Sequence, residues 1–188
     1  IDMKRIVCIS MLALAMLVTT GNAYGQCHKQ RSIVVLYEND VHCAVDGYAK
    51  LAGLRDAIAD TADVFLVCNG DYVQGQTVGA ISKGQYVVDI MSKLSYDAIT
   101  LGNHEFDYGM ERMFQLLRQV PAPIVCCNLF DARTGRTVYA PYVIKRMGNK
   151  RLAFIGAVTP TTLETEAYAF RDDKDNLIYD LQPEDIPV

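Results

Sequence analysis

The stretch "TLGNHEFDYG" (residues 100–109) follows an apolar run and sets Asn103, His104, Glu105, Asp107 and Tyr108 around Phe106. A strand that ends in an amide, an imidazole and two carboxylates is delivering polar chemistry to one edge of a sheet. The neighbouring sequence repeats that form. "SIVVLYEND" (32–40), "DVFLVCNGD" (63–71), "DAITLGNHE" (97–105) and "PIVCCNLF" (123–130) are short apolar runs rich in Val and Ile, and they read as buried strands. Between them "YAKLAGLRDAIADT" (48–61), "QYVVDIMSKL" (85–94) and "MERMFQLLRQV" (110–120) place apolar residues three and four apart, as amphipathic helices do. Alternating strands and helices predict an α/β fold with a parallel sheet, whose ligands gather beyond the carboxyl ends of the strands. Further on, "YVIKRMGNKRLAFIGAV" reads as two β runs around "GNK", a hairpin.

The strand ends deliver Asp40 and His42, then Asn69 and Asp71, then Asn103, His104 and Asp107, and finally Asn128. Carboxylates, imidazoles and amide oxygens together suit a divalent ion such as Zn²⁺ or Mn²⁺. A single Asp-x-His pair or Gly-Asp turn is weak evidence. Polar clusters at successive strand ends are much harder to obtain by accident.

"ENDVH" (38–42), "NGD" (69–71) and "LGNHEFD" (101–107), in this order, resemble the first metallophosphatase signatures of the secreted 5′-nucleotidase and UDP-sugar hydrolase family. The resemblance runs from about Ser32 to Pro160 and implies a calcineurin-like phosphoesterase fold, a β-sandwich flanked by helices with two divalent ions at the strand ends. It implies that Asp40 and His42 bind the first metal, that Asp71 bridges both, and that Asn103 binds the second. The resemblance further implies that His104 binds no metal but faces the phosphate, with Asp107 as its orienting partner. Two cations need a shared anionic ligand, which a carboxylate supplies, and together they activate water and clamp a phosphoryl group. The implied substrates are nucleotides, either 5′-nucleoside monophosphates or UDP-sugars. No residue is assigned to substrate binding.

Cys43 stands where relatives carry glycine, and is read as a bystander. The family's second metal also takes histidines from later segments, whereas this chain has only His28, His42 and His104. Residues 26–188 are therefore expected to form the first half of the catalytic domain, to bind at most one divalent ion, and to hydrolyse nucleotides no faster than metal alone. The alternative reading is a non-catalytic fragment that binds metal weakly or packs against another chain.

Composition narrows the remaining choices. The chain has 188 residues, is 51% hydrophobic and carries a net charge of −4, which excludes disorder and argues against binding a nucleic-acid polymer through a basic surface. Lys4 and Arg5, the apolar run Ile6 to Val18 and the small residues up to Gly25 have the anatomy of a signal peptide over residues 1–25, with Ile1 and Asp2 extraneous ahead of Met3. The expected destination is the periplasm or the extracellular space, with no membrane span after cleavage. A lipid anchor at Cys27 is disfavoured by the bulky Gln26. With Cys8 removed an odd number of cysteines remains, and Cys68, Cys126 and Cys127 lie in apolar runs, so buried thiols are expected rather than disulfides.

Overall fold

The computed structural model describes residues 31–182. The signal-peptide reading, Cys27 and His28 fall outside them. From Ser32 the chain alternates β1 (Ser32–Glu38), α1 (Asp46–Ala59), β2 (Ala62–Cys68), α2 (Thr77–Ser82), α3 (Gln85–Met91), β3 (Ala98–Ile99) and α4 (Met110–Leu117). β1, β2 and β3 form a parallel sheet in that order, with Glu38 opposite Cys68 and Cys68 opposite Ile99. The three strands therefore stop side by side, and the loops that follow them share one edge.

α3 and α4 place their apolar positions on one stripe, whereas α1 and α2 bury little. α3 buries Val87, Val88 and Met91, and α4 buries Met110, Met113, Leu116 and Leu117. These join Leu66, Ile99, Leu101 and Phe106 in one core. Each such side chain contributes about 1.5–3 kcal/mol through removal from water. Phe106 is fully buried and its ring lies 4.9 Å from that of Phe170, so it is a packing residue within the polar stretch.

Two expectations need correction. β1 is not buried on both faces: Ile33, Val35 and Tyr37 point outward, and Tyr37 is 68% exposed. β1 is an edge strand of its sheet, and α1 buries only Tyr48 deeply. "PIVCCNLF" is not one continuous parallel strand either. Ile124 bridges Ile99 in parallel, Val125 bridges Ala140, and the named strand, β4 (Leu129–Asp131), begins later and is antiparallel to β5 (Arg136–Thr137) and β8 (Tyr179–Leu181). Pro121 and Pro123 have no N–H to extend a ladder beside β3. The Cys126 and Cys127 amides then turn to Ala140 and Gly156.

The hairpin is where the sequence put it. β6 (Tyr142–Met147) and β7 (Lys150–Ile155) pair antiparallel around Gly148 and Asn149. Val143 and Phe154 pack on Val67, Ala98 and Val125, while Lys150 reaches Asp63 at 3.0 Å. A short helix, α5 (Thr162–Thr165), follows.

Asn128, grouped in the sequence reading with the polar strand ends, is 2% exposed and structural. Its Oδ1 accepts the Val158 N–H at 2.9 Å and its Nδ2 donates to the Val158 carbonyl at 2.6 Å. Asn128→Ala is expected to lower stability by about 1–3 kcal/mol, the cost of stranding buried partners. A urea titration checks this, and Mn²⁺ affinity of the folded variant is expected to remain unchanged.

Candidate functional site

The first two loops beyond the parallel strands are held to each other by backbone hydrogen bonds, and the third is joined to the second through side-chain carboxylates. Asp40 N donates to Gly70 O at 3.2 Å and His42 N donates to Asp71 O at 2.9 Å, which ties the first loop to the second. Asp40, His42, Cys43 and Asp71 all have positive φ, between 44° and 62°. Left-handed backbone at residues other than glycine costs on the order of 1–3 kcal/mol each and persists only where surrounding contacts hold it.

Two glycines let the second and third loops meet. A Cβ on Gly70, at φ +100°, would fall 2.1 Å from the Gly102 nitrogen. One on Gly102 would fall 2.2 Å from Asp71 Oδ1. Neither position has room for a side chain, so the Asp71 carboxylate lies directly against the third loop and its Oδ1 accepts the His104 N–H at 2.9 Å.

Behind this contact stands Glu105, 1% exposed. Its carboxylate accepts the backbone N–H groups of Asp71 and Gly102 on Oε2, at 2.8 and 2.6 Å, and of Tyr72 on Oε1 at 2.9 Å. Burial pushes its pKa up from the usual carboxylate value, opposed by those N–H groups.

His42 presents both ring nitrogens to oxygen: Nε2 lies 2.7 Å from Asp40 Oδ1 and Nδ1 lies 3.1 Å from the Gln74 carbonyl. The carbonyl on Nδ1 orients the ring with Nε2 toward Asp40, the arrangement in which a cation at Nε2 would be backed by Nδ1–H on the Gln74 carbonyl. The His104 ring meets the His42 ring edge to face at 4.8 Å. His104 lies in a single 3₁₀ turn (His104–Phe106) that brings its Nδ1 to 3.0 Å from Asp107 Oδ2. Burial alone would lower the imidazole pKa, but the hydrogen bond and charge of Asp107, with Asp71 and Glu105 beyond it, outweigh that and raise it.

Asp40, His42, Asp71 and His104 are thus gathered, and Asn103 adjoins them as the residue before His104. Among the described residues, no group of three or more His, Cys, Asp or Glu side chains is placed so as to hold a metal ion. The chemistry of the donors still suits a cation: a carboxylate faces the Nε2 of an imidazole whose Nδ1 lies on a backbone carbonyl, and a second carboxylate lies on the adjoining loop. Cys43 is the bystander expected of it. Its thiol is fully buried and donates to the Tyr72 carbonyl at 3.1 Å, and burial, with Glu105 second, pushes its pKa up to about 11. The thiol therefore stays protonated at neutral pH. Cys43, Cys68, Cys126 and Cys127 are all free thiols.

Sequence reasoning missed Gln74, which acts through its carbonyl, and Tyr168, whose hydroxyl donates to the carbonyls of Phe106 and Asp107 at 3.1 and 2.5 Å. Contacts to backbone atoms leave no residue-type pattern. Tyr168 also stands far from the motif in the chain.

Comparison with known proteins bears on the fold and the family. The chain is 30% identical over 142 residues to a 2′,3′-cyclic-nucleotide 2′-phosphodiesterase/3′-nucleotidase of Haemophilus influenzae, covering 66% of this chain and 22% of that protein. It is 33% identical over 110 residues to a 5′-nucleotidase of Vibrio parahaemolyticus, covering 58% of this chain and 20% of that protein. The chain thus spans about a fifth of the length of these curated relatives. The crystal structure of the calcineurin-like phosphoesterase YfkN from Bacillus subtilis superposes with a TM-score of 0.64 at 25% identity, covering 79% of this chain and 53% of that one. The family model of the calcineurin-like phosphoesterases matches residues 33–178, and the chain belongs to that family.

Proposed function

We propose that the loops after β1, β2 and β3 are the metal- and phosphate-facing part of a nucleotide phosphoesterase site of the 5′-nucleotidase type. The observation that carries this reading is Asp71, whose backbone carbonyl accepts the His42 N–H and whose carboxylate accepts the His104 N–H beside the His104–Asp107 pair. Asp40, His42, Asp71 and Asn103 would hold divalent metal, with Asp71 shared between two ions where both are present. Bound divalent ions supply an activated water and charge neutralisation at the phosphoryl oxygens. This set favours one ion, Zn²⁺ or Mn²⁺, because Asp71 and Asn103 alone are a weak second site.

The chain's own residues supply the rest. Asp107 keeps the His104 proton on Nδ1 and favours imidazolium, which leaves Nε2–H to donate to the charge that builds on phosphate. Nucleotides, either 5′-monophosphates or UDP-sugars, are the substrates this reading gives, and export to the periplasm or beyond is the matching location. Among the described residues no helix is long and apolar enough to cross a membrane.

A second reading, a non-catalytic domain that packs against another polypeptide, is favoured by the apolar outer faces of β1 and the hairpin, where Tyr37 and Ile155 are 68% and 71% exposed. A phosphate-release assay with 5′-AMP and UDP-glucose under Mn²⁺ separates the two. Release above a metal-only control that disappears in Asp71→Asn supports the hydrolase and overturns the expectation that this chain alone is inactive. Metal uptake without release, together with association through the apolar faces, supports the second reading.

A further inference from the structure

We propose that Glu105 is the positioning residue of this site, joining the Asp71 loop to the Asn103–His104 loop through backbone N–H groups and so setting the distance between the groups that face metal and phosphate. The inference rests on the metal-site reading above. Oε2 takes one N–H from each loop, Asp71 at 2.8 Å and Gly102 at 2.6 Å, so a single atom spans the junction. Oε1 takes Tyr72 at 2.9 Å and Val73 at 3.4 Å, which fixes the chain just beyond Asp71.

A buried carboxylate is a costly way to fill space, because its charge must be met by oriented donors. A leucine would pack as well and need none. What leucine lacks is the capacity to hold several N–H groups at one point, and Asp71, at φ +58°, is a residue whose backbone needs such holding. Glu105 touches neither metal nor phosphate. It acts through Asp71, whose carboxylate in turn receives the His104 N–H at 2.9 Å, so movement at the junction is felt on both sides of the site.

Glu105→Gln keeps size and length but turns an NH₂ group toward N–H donors. Amide hydrogen exchange in the metal-free chain is expected to accelerate at Asp71, Tyr72 and Gly102 while the amides of β2 keep their protection. Mn²⁺ affinity, read by calorimetry, is expected to fall on the order of tenfold or more, as when the group behind a metal ligand is lost. Val88→Ala, a truncation in the fully buried part of α3, is the control for general destabilisation and is expected to leave Mn²⁺ affinity unchanged. Should Glu105→Gln not fold, Glu105→Asp keeps the charge on a side chain one methylene too short to span both loops, and the same loss of affinity is expected.

Wild-type exchange at the three amides together with wild-type Mn²⁺ affinity would overturn the proposal. So would an affinity loss in Val88→Ala equal to that of the Glu105 variant. If the unaltered chain binds no Mn²⁺, the metal-site reading fails, while the exchange pattern still decides whether Glu105 joins the loops.

Discussion

In a chain whose metal site is complete, Asp71→Asn is expected to reduce Mn²⁺-dependent phosphate release from a nucleotide to the rate of metal alone, with the fold retained. Asp71 is the carboxylate placed between the other groups: its carbonyl accepts the His42 N–H at 2.9 Å and its Oδ1 accepts the His104 N–H at 2.9 Å. An amide of the same shape can still accept that second bond through its oxygen, so the loops stay in place. It carries no charge to offset a divalent ion and cannot be shared between two of them. Circular dichroism and the urea midpoint check that the variant folds, and phosphate release checks the chemistry. Near-normal turnover at saturating Mn²⁺ would remove Asp71 from its bridging role.

In the same complete site, His104→Ala is expected to slow phosphate release by about a hundredfold or more while leaving metal stoichiometry unchanged, since loss of one donor to a developing oxyanion has that size. The geometry separates His104 from the ligands. Its Nδ1 is committed to Asp107 at 3.0 Å, and its backbone N–H, which alanine keeps, is what bonds Asp71. Asp107→Asn is expected to give a smaller loss, because Tyr168 still binds the carbonyls of Phe106 and Asp107 and keeps the turn in place. Elemental analysis of His104→Ala is decisive: a missing metal ion would make His104 a ligand.

The parts of this site carried by side chains were legible in the sequence, and the parts carried by backbone were not. "ENDVH", "NGD" and "LGNHEFD" placed Asp40, His42, Asp71 and His104 at neighbouring strand ends, because the parallel strands stop side by side. The three-residue spacing of His104 and Asp107 anticipated their hydrogen bond. α1, α3, α4 and the hairpin followed from apolar periodicity. The clamp made by Glu105, the Gln74 carbonyl behind His42 and the Tyr168 hydroxyl are contacts to main-chain atoms, which every residue possesses and no pattern marks. The outward face of β1 was misread for a related reason. Ile33, Val35 and Tyr37 are as apolar as a buried face, and exposure depends on what packs there rather than on the strand itself. Asn128 was misplaced because a polar residue after an apolar run looks alike whether it faces solvent or a neighbouring amide such as Val158.

The central claim, that these three loops make a divalent-metal site organised by Asp71, is tested most directly by titrating the unaltered chain and Asp71→Asn with Mn²⁺ in a calorimeter. The account predicts that the unaltered chain binds one ion and that Asp71→Asn, folded to the same urea midpoint, binds it at least about tenfold more weakly. Equal affinity in the two proteins, or no binding to the unaltered chain, would contradict it.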